Sequence, residues 1–369
     1  MTLFDFICTQ LQQGDMTFAD FMQQVLYAPN LGYYSSGSQV FGASGDFITA
    51  PELTSLFGYT LANQCQQVFS HLDKPDLFEF GAGTGKLCVD ILTQLERLNC
   101  LPSTYYILEV SGHLQQRQQA LVMEKIPHLA KRVTWLNQWP KQPFNGVIIA
   151  NEVLDAMPVH RFLQKKEGLF QSYITLNSQH ELEEVFKPCT HLELVDRVKS
   201  VVSADCHPYQ SEVNLFIDQW IKQCFAMLNA GALFIVDYGF PEHEYYHPQR
   251  DTGTLMCHYQ HQAHTNPLIH IGEQDITAHV DFTHVALAAD AAGFHVAGYT
   301  NQASFLLANG LLSLLAEVDD ERARIKHQQA VKQLIQPHEM GELFKVIALT
   351  KALQLPLNGF QLQDKRASL

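Results

Sequence analysis

A glycine-rich segment, Glu79-Phe-Gly-Ala-Gly-Thr-Gly-Lys86, starts in a short apolar run and leads into an amphipathic helical pattern. Glycine lets the backbone turn tightly and leaves room for a ligand against bare main chain. Beyond this segment, short apolar runs alternate with helical windows, which indicates βα units around a parallel sheet. We expect strands at residues 77–80, 105–110, 133–136, 146–150, 232–237, 294–299 and 344–350, and helices at 86–98, 112–126, 213–228 and 280–292.

The spacing of the glycines distinguishes three kinds of nucleotide-binding motif. A P-loop would need glycine and a hydroxyl residue where Phe80 and Leu87 stand. A dinucleotide-binding turn prefers a third glycine where Lys86 stands. The pattern of an acidic residue followed by x-Gly-x-Gly-x-Gly, typical of S-adenosylmethionine (SAM) sites, fits at Glu79, Gly81, Gly83 and Gly85. Glu79 would suit the sulfonium and ammonium of SAM; a purely structural turn is the remaining alternative.

Two polar residues at the ends of the next predicted strands are candidates for the same cofactor. Glu109 lies 24 residues after Gly85, where an open α/β sheet places a carboxylate that accepts hydrogen bonds from both ribose hydroxyls. Asn137 follows the third strand, where the adenine would lie, and is a candidate for binding its amine. The alternative for Glu109 is a solvated carboxylate at a strand end.

The segment after the fourth predicted strand, Asn151-Glu-Val-Leu-Asp-Ala-Met-Pro158, offers an amide and two carboxylates. Two carboxylates three residues apart suit the planar fork of an arginine guanidinium. We expect Asn151 near the cofactor, with Glu152 and Asp155 clamping a guanidinium for methyl transfer. Asp237 and Tyr238 reach the same rim from the fifth strand as catalytic and substrate-binding candidates. Alternatively, Asp155 caps a helix, Glu152 only orders a loop and Asp237 is structural.

The fold class that follows is α/β. The element order is that of a class I, Rossmann-like, seven-stranded methyltransferase sheet, with an N-terminal helical cap and two insertions. The chain divides into a cap at residues 1–72, a first core part at 73–159, an insertion with a β-hairpin at 160–210, a second core part at 211–302, a helical insertion at 303–342, and the last core strand with a tail at 343–369.

Composition excludes several classes of function. The 369-residue chain carries a formal net charge of −14, which disfavours binding to nucleic acid phosphates. Its eight cysteines form no Cys-x-x-Cys pair, so we expect reduced thiols in a cytoplasm-like compartment. We see no signal or transit peptide, and no apolar stretch long enough to insert into a membrane. The sequence does not indicate an oligomeric state.

Several motifs together resemble the MidA family of SAM-dependent methyltransferases, whose mitochondrial member is an arginine methyltransferase that assists respiratory complex I assembly. They are Gly32-Tyr-Tyr34, Gly45-Asp-Phe-Ile-Thr-Ala-Pro-Glu52, Leu56-Phe-Gly58, the glycine turn, the segment after the fourth strand, Asp237-Tyr-Gly239, Gly253-Thr-Leu255 and Asp275-Ile-Thr-Ala-His-Val-Asp-Phe282.

That resemblance implies SAM as the methyl donor and a protein arginine, for instance in a complex I subunit, as the acceptor. It also implies that Thr49, Pro51 and Glu52 lie in a lid over the cofactor. Because no transit peptide is visible, we expect a cytoplasmic bacterial relative. The run His258, His261 and His264 is a possible zinc site. We nevertheless expect no metal there. We expect His261 to line the substrate groove instead. The rival functions are a non-catalytic SAM-binding assembly factor or chaperone and a nicotinamide-dependent oxidoreductase.

Overall fold

The computed structural model describes residues 2–36 and 49–369 of the chain, so residues 45–48 of the expected lid motif lie outside the described residues. The helices are α1 (Leu3–Leu11), α2 (Phe18–Tyr27), α3 (Ala50–Leu53), α4 (Ser55–Phe69), α5 (Lys86–Arg97), α6 (Gly112–Lys125), α7 (Leu192–Val201), α8 (Ile217–Met227), α9 (Glu242–Tyr245), α10 (Phe282–Ala292), α11 (Gln302–Ala308), α12 (Leu311–Ala316) and α13 (Glu321–Ile335).

The strands alternate with these helices along most of the chain. They are β1 (Met16–Thr17), β2 (Asp76–Phe80), β3 (Tyr105–Leu108), β4 (Val133–Leu136), β5 (Phe144–Asn151), β6 (His160–Lys165), β7 (Gly168–Leu176), β8 (Leu182–Pro188), β9 (Tyr209–Val213), β10 (Leu228–Phe240), β11 (Met256–Tyr259), β12 (Gln262–His264), β13 (Asp275–Thr277), β14 (Val280–Asp281), β15 (His295–Asn301) and β16 (Phe344–Lys351).

The chain forms two compact units, each assembled from three separate stretches. The first unit comprises Met1–Phe47, Leu154–Asp218 and Phe240–Asp281. The second unit comprises Ile48–Val153, Gln219–Gly239 and Phe282–Leu369.

The main sheet has eight strands in the described part of the chain. Seven follow the order β15-β16-β10-β5-β2-β3-β4, and β14 pairs with β10 off this path. The strands from β10 to β4 run parallel, whereas β16 is antiparallel to both β10 and β15. Buried parallel strands need apolar residues on both faces, and the run Val147, Ile148, Ile149 and Ala150 of β5 is fully buried.

The core of the second unit forms where helices cover this sheet. The inner faces of α4 and α5 pack with apolar residues of β2, β5 and β10 in one cluster. Phe305 and Leu306 of α11 belong to the same cluster, as do Val331 and Leu334 of α13. The sequence predicts a helical segment at residues 303–342, and the three helices confirm it.

The described residues of the first unit form two antiparallel sheets. One has the order β1-β7-β6-β9 with β8 paired to β7, and the other has the order β12-β11-β13. β6 and β7 form the predicted hairpin, with Lys165 opposite Gly168 next to the turn. Phe18, Phe21 and Ile174 lie in the core that α1 and α2 form with β7.

Two expectations from the sequence differ from the structure. The main sheet has eight strands instead of seven, because Val280 and Asp281 form β14 before α10 begins at Phe282. The helix expected at residues 213–228 begins at Ile217, since Val213 ends β9 in pairing with His160.

Among residues 2–36 and 49–369, we find no helix that combines the length and the apolar character needed to cross a bilayer.

Candidate active site

The carboxyl ends of five parallel strands form one edge of the main sheet. The chain adds β3 and β4 on one side of β2 and then β5 and β10 on the other. Open α/β sheets bind ligands at this edge, beside the point where the order of strands reverses. Phe80 of β2 pairs with Leu108 of β3 and with Ala150 of β5. The residues that follow these three, Gly81, Glu109 and Asn151, therefore lie side by side at this edge.

The glycine turn after β2 has a backbone that only glycine adopts easily. The φ angles of Gly81, Gly83 and Gly85 are 57°, 51° and 89°, and the left-handed region costs other residues roughly 1–2 kcal/mol each. A Cβ placed on Gly81 would meet no heavy atom of the described residues within 4 Å. The turn therefore presents open main chain at the start of α5, as the glycine spacing predicts.

Glu79, the acidic residue that precedes the turn, is buried within β2. Its side chain is 2% exposed, and its carboxylate accepts a hydrogen bond of 2.8 Å from the hydroxyl of Tyr105. Burial raises the pKa of Glu79 to about 8, because the charged form loses its solvation. The negative charge of Glu109 adds to this rise, and the hydrogen bond from Tyr105 opposes it.

Glu109 directly follows β3 and is 6% exposed, so it is not a solvated carboxylate at a strand end. One carboxylate oxygen accepts a hydrogen bond of 2.9 Å from the backbone N–H of Ser111, and the other accepts one of 3.1 Å from Nε2 of Gln118. Burial raises its pKa, and these bonds oppose the rise. Val110 beside it is 70% exposed and adds apolar surface at the same strand end.

Gln118 of α6 is a residue that sequence reasoning missed. Its side chain is fully buried and contacts the glycine turn, Glu109 and Trp135 through hydrogen bonds of 3.0, 3.1 and 2.9 Å. Leu114 and Val122 are also buried on α6. A glutamine four residues from each of two buried apolar residues is the sequence signal that could have identified it.

The segment after β5 begins with a strained residue. Glu152 has a φ of 53°, and its backbone N–H donates to the carbonyl of Val236 in β10 at 2.9 Å. Nδ2 of Asn151 donates to the Glu152 carboxylate at 3.3 Å. Oδ1 of Asn151 is buried and has no hydrogen-bond partner among the described residues. Strain of this kind often marks a functional site.

Asp237 in β10 is fully buried and fixes two pieces of main chain at the sheet edge. Its carboxylate accepts hydrogen bonds from the backbone N–H groups of Val153 at 3.2 Å and of Tyr238 at 2.9 Å. Tyr238 packs its ring edge-to-face with Phe344 at 5.4 Å between ring centroids. These contacts give Asp237 the geometry of a residue that orders the segment after β5.

The described part of the expected lid lies beside the glycine turn. Thr49 is the N-cap residue of α3, and Pro51 is buried in the first turn of that helix. The hydroxyl of Thr84, within the glycine turn, donates a hydrogen bond to the Glu52 carboxylate. The structure therefore brings Glu52 to the turn, and Thr84 is a second contact that sequence reasoning missed.

Asp155 belongs to the first unit and is 5% exposed. The residues that surround it form turns rather than a helix, so Asp155 caps no helix. Its backbone carbonyl accepts from the N–H of Ala278, and the next carbonyl, of Ala156, accepts from the hydroxyl of Tyr27 at 3.0 Å. The charge of Asp155 contributes to a raised pKa of Tyr34, whose main cause is burial.

Two predicted residues lie in exposed positions. Asn137 follows β4 and is exposed at the sheet edge. His261 is exposed at the tip of the β11–β12 hairpin, where it and Gln260 have φ angles of 61° and 48°. Within the ranges that the structure describes, no group of three or more His, Cys, Asp or Glu side chains is arranged to hold a metal ion.

The second unit has the features that a SAM site requires. Main chain is open at Gly81, a carboxylate is held at the end of β3, and the unpartnered Oδ1 of Asn151 is available to a donor. The ammonium of SAM is a hydrogen-bond donor, and its ribose hydroxyls donate to carboxylates. The residues present therefore fit this cofactor.

Comparison with known proteins points to the same chemistry. A family model described as "Putative S-adenosyl-L-methionine-dependent methyltransferase" matches residues 60–300. The chain is 40% identical to a protein from Burkholderia thailandensis with a crystal structure bound to S-adenosyl-homocysteine, with a TM-score of 0.94 over 100% of this chain and 96% of that one.

Curated relatives share lower identity over most of the chain. The mitochondrial protein arginine methyltransferase NDUFAF7 of Mus musculus is 29% identical over 91% of this chain and 81% of its own length. Its Drosophila melanogaster homolog is 28% identical over 92% of this chain and 82% of its own length.

Proposed function

The chain belongs to this family of S-adenosyl-L-methionine-dependent methyltransferases, and we propose that its acceptor is the guanidinium of an arginine in a protein. The match to the family model confirms the resemblance to the MidA proteins. Together with the similar structure bound to S-adenosyl-homocysteine, it also confirms SAM as the cofactor. The observation that carries the proposal is the acidic segment after β5, which begins at Glu152 in a strained, anchored backbone at the ligand-binding edge. The curated relatives, which are named protein arginine methyltransferases, support it.

When bound, SAM supplies a methyl group already activated by its sulfonium. We propose that Gly81, Gly83 and Gly85 place main chain against it and that Glu109 accepts hydrogen bonds from its ribose. Glu79 anchors the start of the turn through its hydrogen bond with Tyr105, and Asn137 binds the adenine amine. Asn151 accepts a hydrogen bond from the cofactor, and Thr49, Pro51 and Glu52 cover it from the lid side.

The acceptor site needs groups that hold a guanidinium and leave one nitrogen free to attack. Glu152 of the second unit accepts N–H bonds from the guanidinium, which orients the remaining nitrogen toward the methyl group. Asp155, the other carboxylate of the segment, lies in the first unit and is a separate catalytic candidate. Positioning of this kind supplies up to about 7–11 kcal/mol of catalysis. Asp237 positions Glu152 through the main chain of Val153, and Tyr238 of the second unit contacts the acceptor protein. His261 of the first unit is a separate candidate for contact with that protein.

The acceptor is identified by labelling a lysate from cells that lack this protein. The purified enzyme and labelled SAM are added, and labelled peptides are sequenced by mass spectrometry. Methylarginine is expected, and a complex I subunit is the first candidate from the resemblance. Label on another residue type would overturn the arginine proposal, and SAM binding without any labelled acceptor would favour the non-catalytic assembly factor.

A thermal-shift comparison tests the oxidoreductase alternative. SAM is expected to raise the melting temperature, since a ligand that binds only the native state stabilises it by mass action. NAD at the same concentration is expected to leave it unchanged, and the reverse result would favour the oxidoreductase.

A further inference from the structure

The side chain of Gln118 joins three separate segments of the second unit. Nε2 donates to the carbonyl of Gly83 at 3.0 Å and to the carboxylate of Glu109 at 3.1 Å. Oε1 accepts from the indole Nε1 of Trp135 in β4 at 2.9 Å. These partners lie 35, 9 and 17 residues away in the sequence, so one amide connects the glycine turn, the end of β3 and β4.

The chemistry of the partners fixes the orientation of this amide. The indole of Trp135 can only donate, and the carbonyl of Gly83 and the carboxylate of Glu109 only accept. Rotating the amide by 180° would place its oxygen against both acceptors and its nitrogen against a donor. The two N–H groups therefore face the turn and the carboxylate.

Packing brings the backbone of Gln118 to the glycine turn as well. A Cβ on Gly85 would lie 3.1 Å from Cα and 3.2 Å from Cβ of Gln118, so α6 lies directly against the turn. A fully buried amide costs free energy unless its polar atoms are paired. A methionine would fill the same space without this cost, so packing alone does not explain a glutamine here.

We propose that Gln118 is a positioning residue for the cofactor: it holds the Glu109 carboxylate at a fixed place relative to the main chain of Gly83, so that ribose and amino acid portions of SAM are bound together. This inference rests on the proposed role of Glu109. Gln118 acts through the Glu109 carboxylate, with the carbonyl of Gly83 as its anchor, and it does not itself touch the cofactor.

The first experiment compares Gln118→Met with Gln119→Met, since Gln119 is an exposed neighbour on the same helix. SAM affinity is measured by titration calorimetry, and the melting temperature without ligand is recorded for each variant. Gln118→Met is expected to weaken SAM binding about tenfold, the usual effect of losing a hydrogen bond to a charged group. Gln119→Met is expected to bind SAM like the unmodified protein.

A double-mutant cycle with Glu109→Gln separates positioning from general destabilisation. If Gln118 acts through Glu109, Gln118→Met weakens SAM binding by less than threefold in the Glu109→Gln protein. An undiminished tenfold effect there would overturn the inference. If Glu109→Gln alone leaves SAM affinity unchanged, the proposed role of Glu109 fails instead.

Trp135→Phe provides a second route should Gln118→Met not fold. It removes the donor that orients the Gln118 amide and leaves the other two partners in place. We expect SAM binding to weaken about threefold, and this effect to disappear in the Glu109→Gln protein. Unchanged affinity in Trp135→Phe would contradict the inference.

Discussion

The carboxylate of Asp237 accepts a hydrogen bond of 3.2 Å from the backbone N–H of Val153, which ties the fifth parallel strand of the sheet to the residue after Glu152. Asp237 is fully buried, so water cannot replace this bond. The bond fixes the main chain at the point where we propose that the acceptor guanidinium binds.

Asp237→Asn is expected to lower the rate of methyl transfer about a hundredfold, as displacements of about 1 Å can do. The amide can accept from only one of the two N–H groups that face the carboxylate. SAM affinity is expected to change less than threefold. Single-turnover transfer from labelled SAM measures the first quantity and calorimetry the second; an unchanged rate would show that the bond to Val153 is dispensable.

Glu109→Ala is expected to weaken SAM binding about a hundredfold, because two hydrogen bonds from the ribose to a charged group would be lost. Calorimetry measures the affinity. Glu124→Ala on α6 is the matched control, since Glu124 is exposed and forms an ion pair only with its neighbour Lys125 among the described contacts. Equal affinities of the two variants would remove Glu109 from the site.

Gly85→Ala is expected to destabilise the protein more than Gly81→Ala. Both substitutions force alanine into the left-handed region at roughly 1–2 kcal/mol, but only at position 85 does the new Cβ lie 3.1 Å from the backbone of Gln118. Gly112→Ala, where a Cβ meets nothing within 4 Å, is the control. Urea denaturation measures the free energy of unfolding. If Gly81→Ala and Gly85→Ala lower it equally, the backbone of Gln118 does not crowd the new Cβ at position 85.

Glu79→Gln is expected to remove a pH dependence of stability. The folded pKa of about 8 lies above the ordinary 4.5, so the folded state binds the proton more tightly. The stability from protonated Glu79 is fully present below pH 4.5 and is lost as the pH rises through about 8.

Melting temperatures between pH 5 and pH 9 provide the check on Glu79. The unmodified protein is expected to lose stability over this range, and Glu79→Gln to lose less of it, because its amide is neutral throughout. Glu124→Gln controls for the removal of a carboxyl group. If the melting temperatures of Glu79→Gln and of the unmodified protein fall in parallel with pH, the pH dependence does not come from Glu79.

Glu152→Gln and Asp155→Asn are expected to abolish methyl transfer while SAM affinity stays within about threefold. Each substitution replaces a bidentate carboxylate with a group that binds a guanidinium less well. Transfer is measured with the acceptor peptide found in the lysate experiment. Full activity in both variants would place the acceptor elsewhere.

The sequence predicted those backbone features of the candidate site that are local in the chain. The glycine turn and Glu109 each belong to a single strand–turn–helix unit. The strands of these units, β2 and β3, lie at the apolar runs that predicted them. The φ of Glu152 was not predictable, since its backbone N–H is paired with Val236, far along the chain.

Contacts that form only after folding were missed for the same reason. Gln118 finds its partners on three other segments, and a helical pattern shows only that its position is buried. The eighth strand, Val280–Asp281, has too few residues to show any periodicity. The first unit joins stretches from three parts of the chain, an assembly that no local pattern encodes.

The position of β16 between β10 and β15 has a consequence for synthesis. The helices α11, α12 and α13 precede β16 in the chain, so they leave the ribosome before the strand that joins its two neighbours. Until residue 351 has emerged, one side of β10 and the whole of β15 lack their pairing partner. A nascent chain stalled in this interval would present open edges that recruit other chains, so slow translation through the helical insertion should favour aggregation.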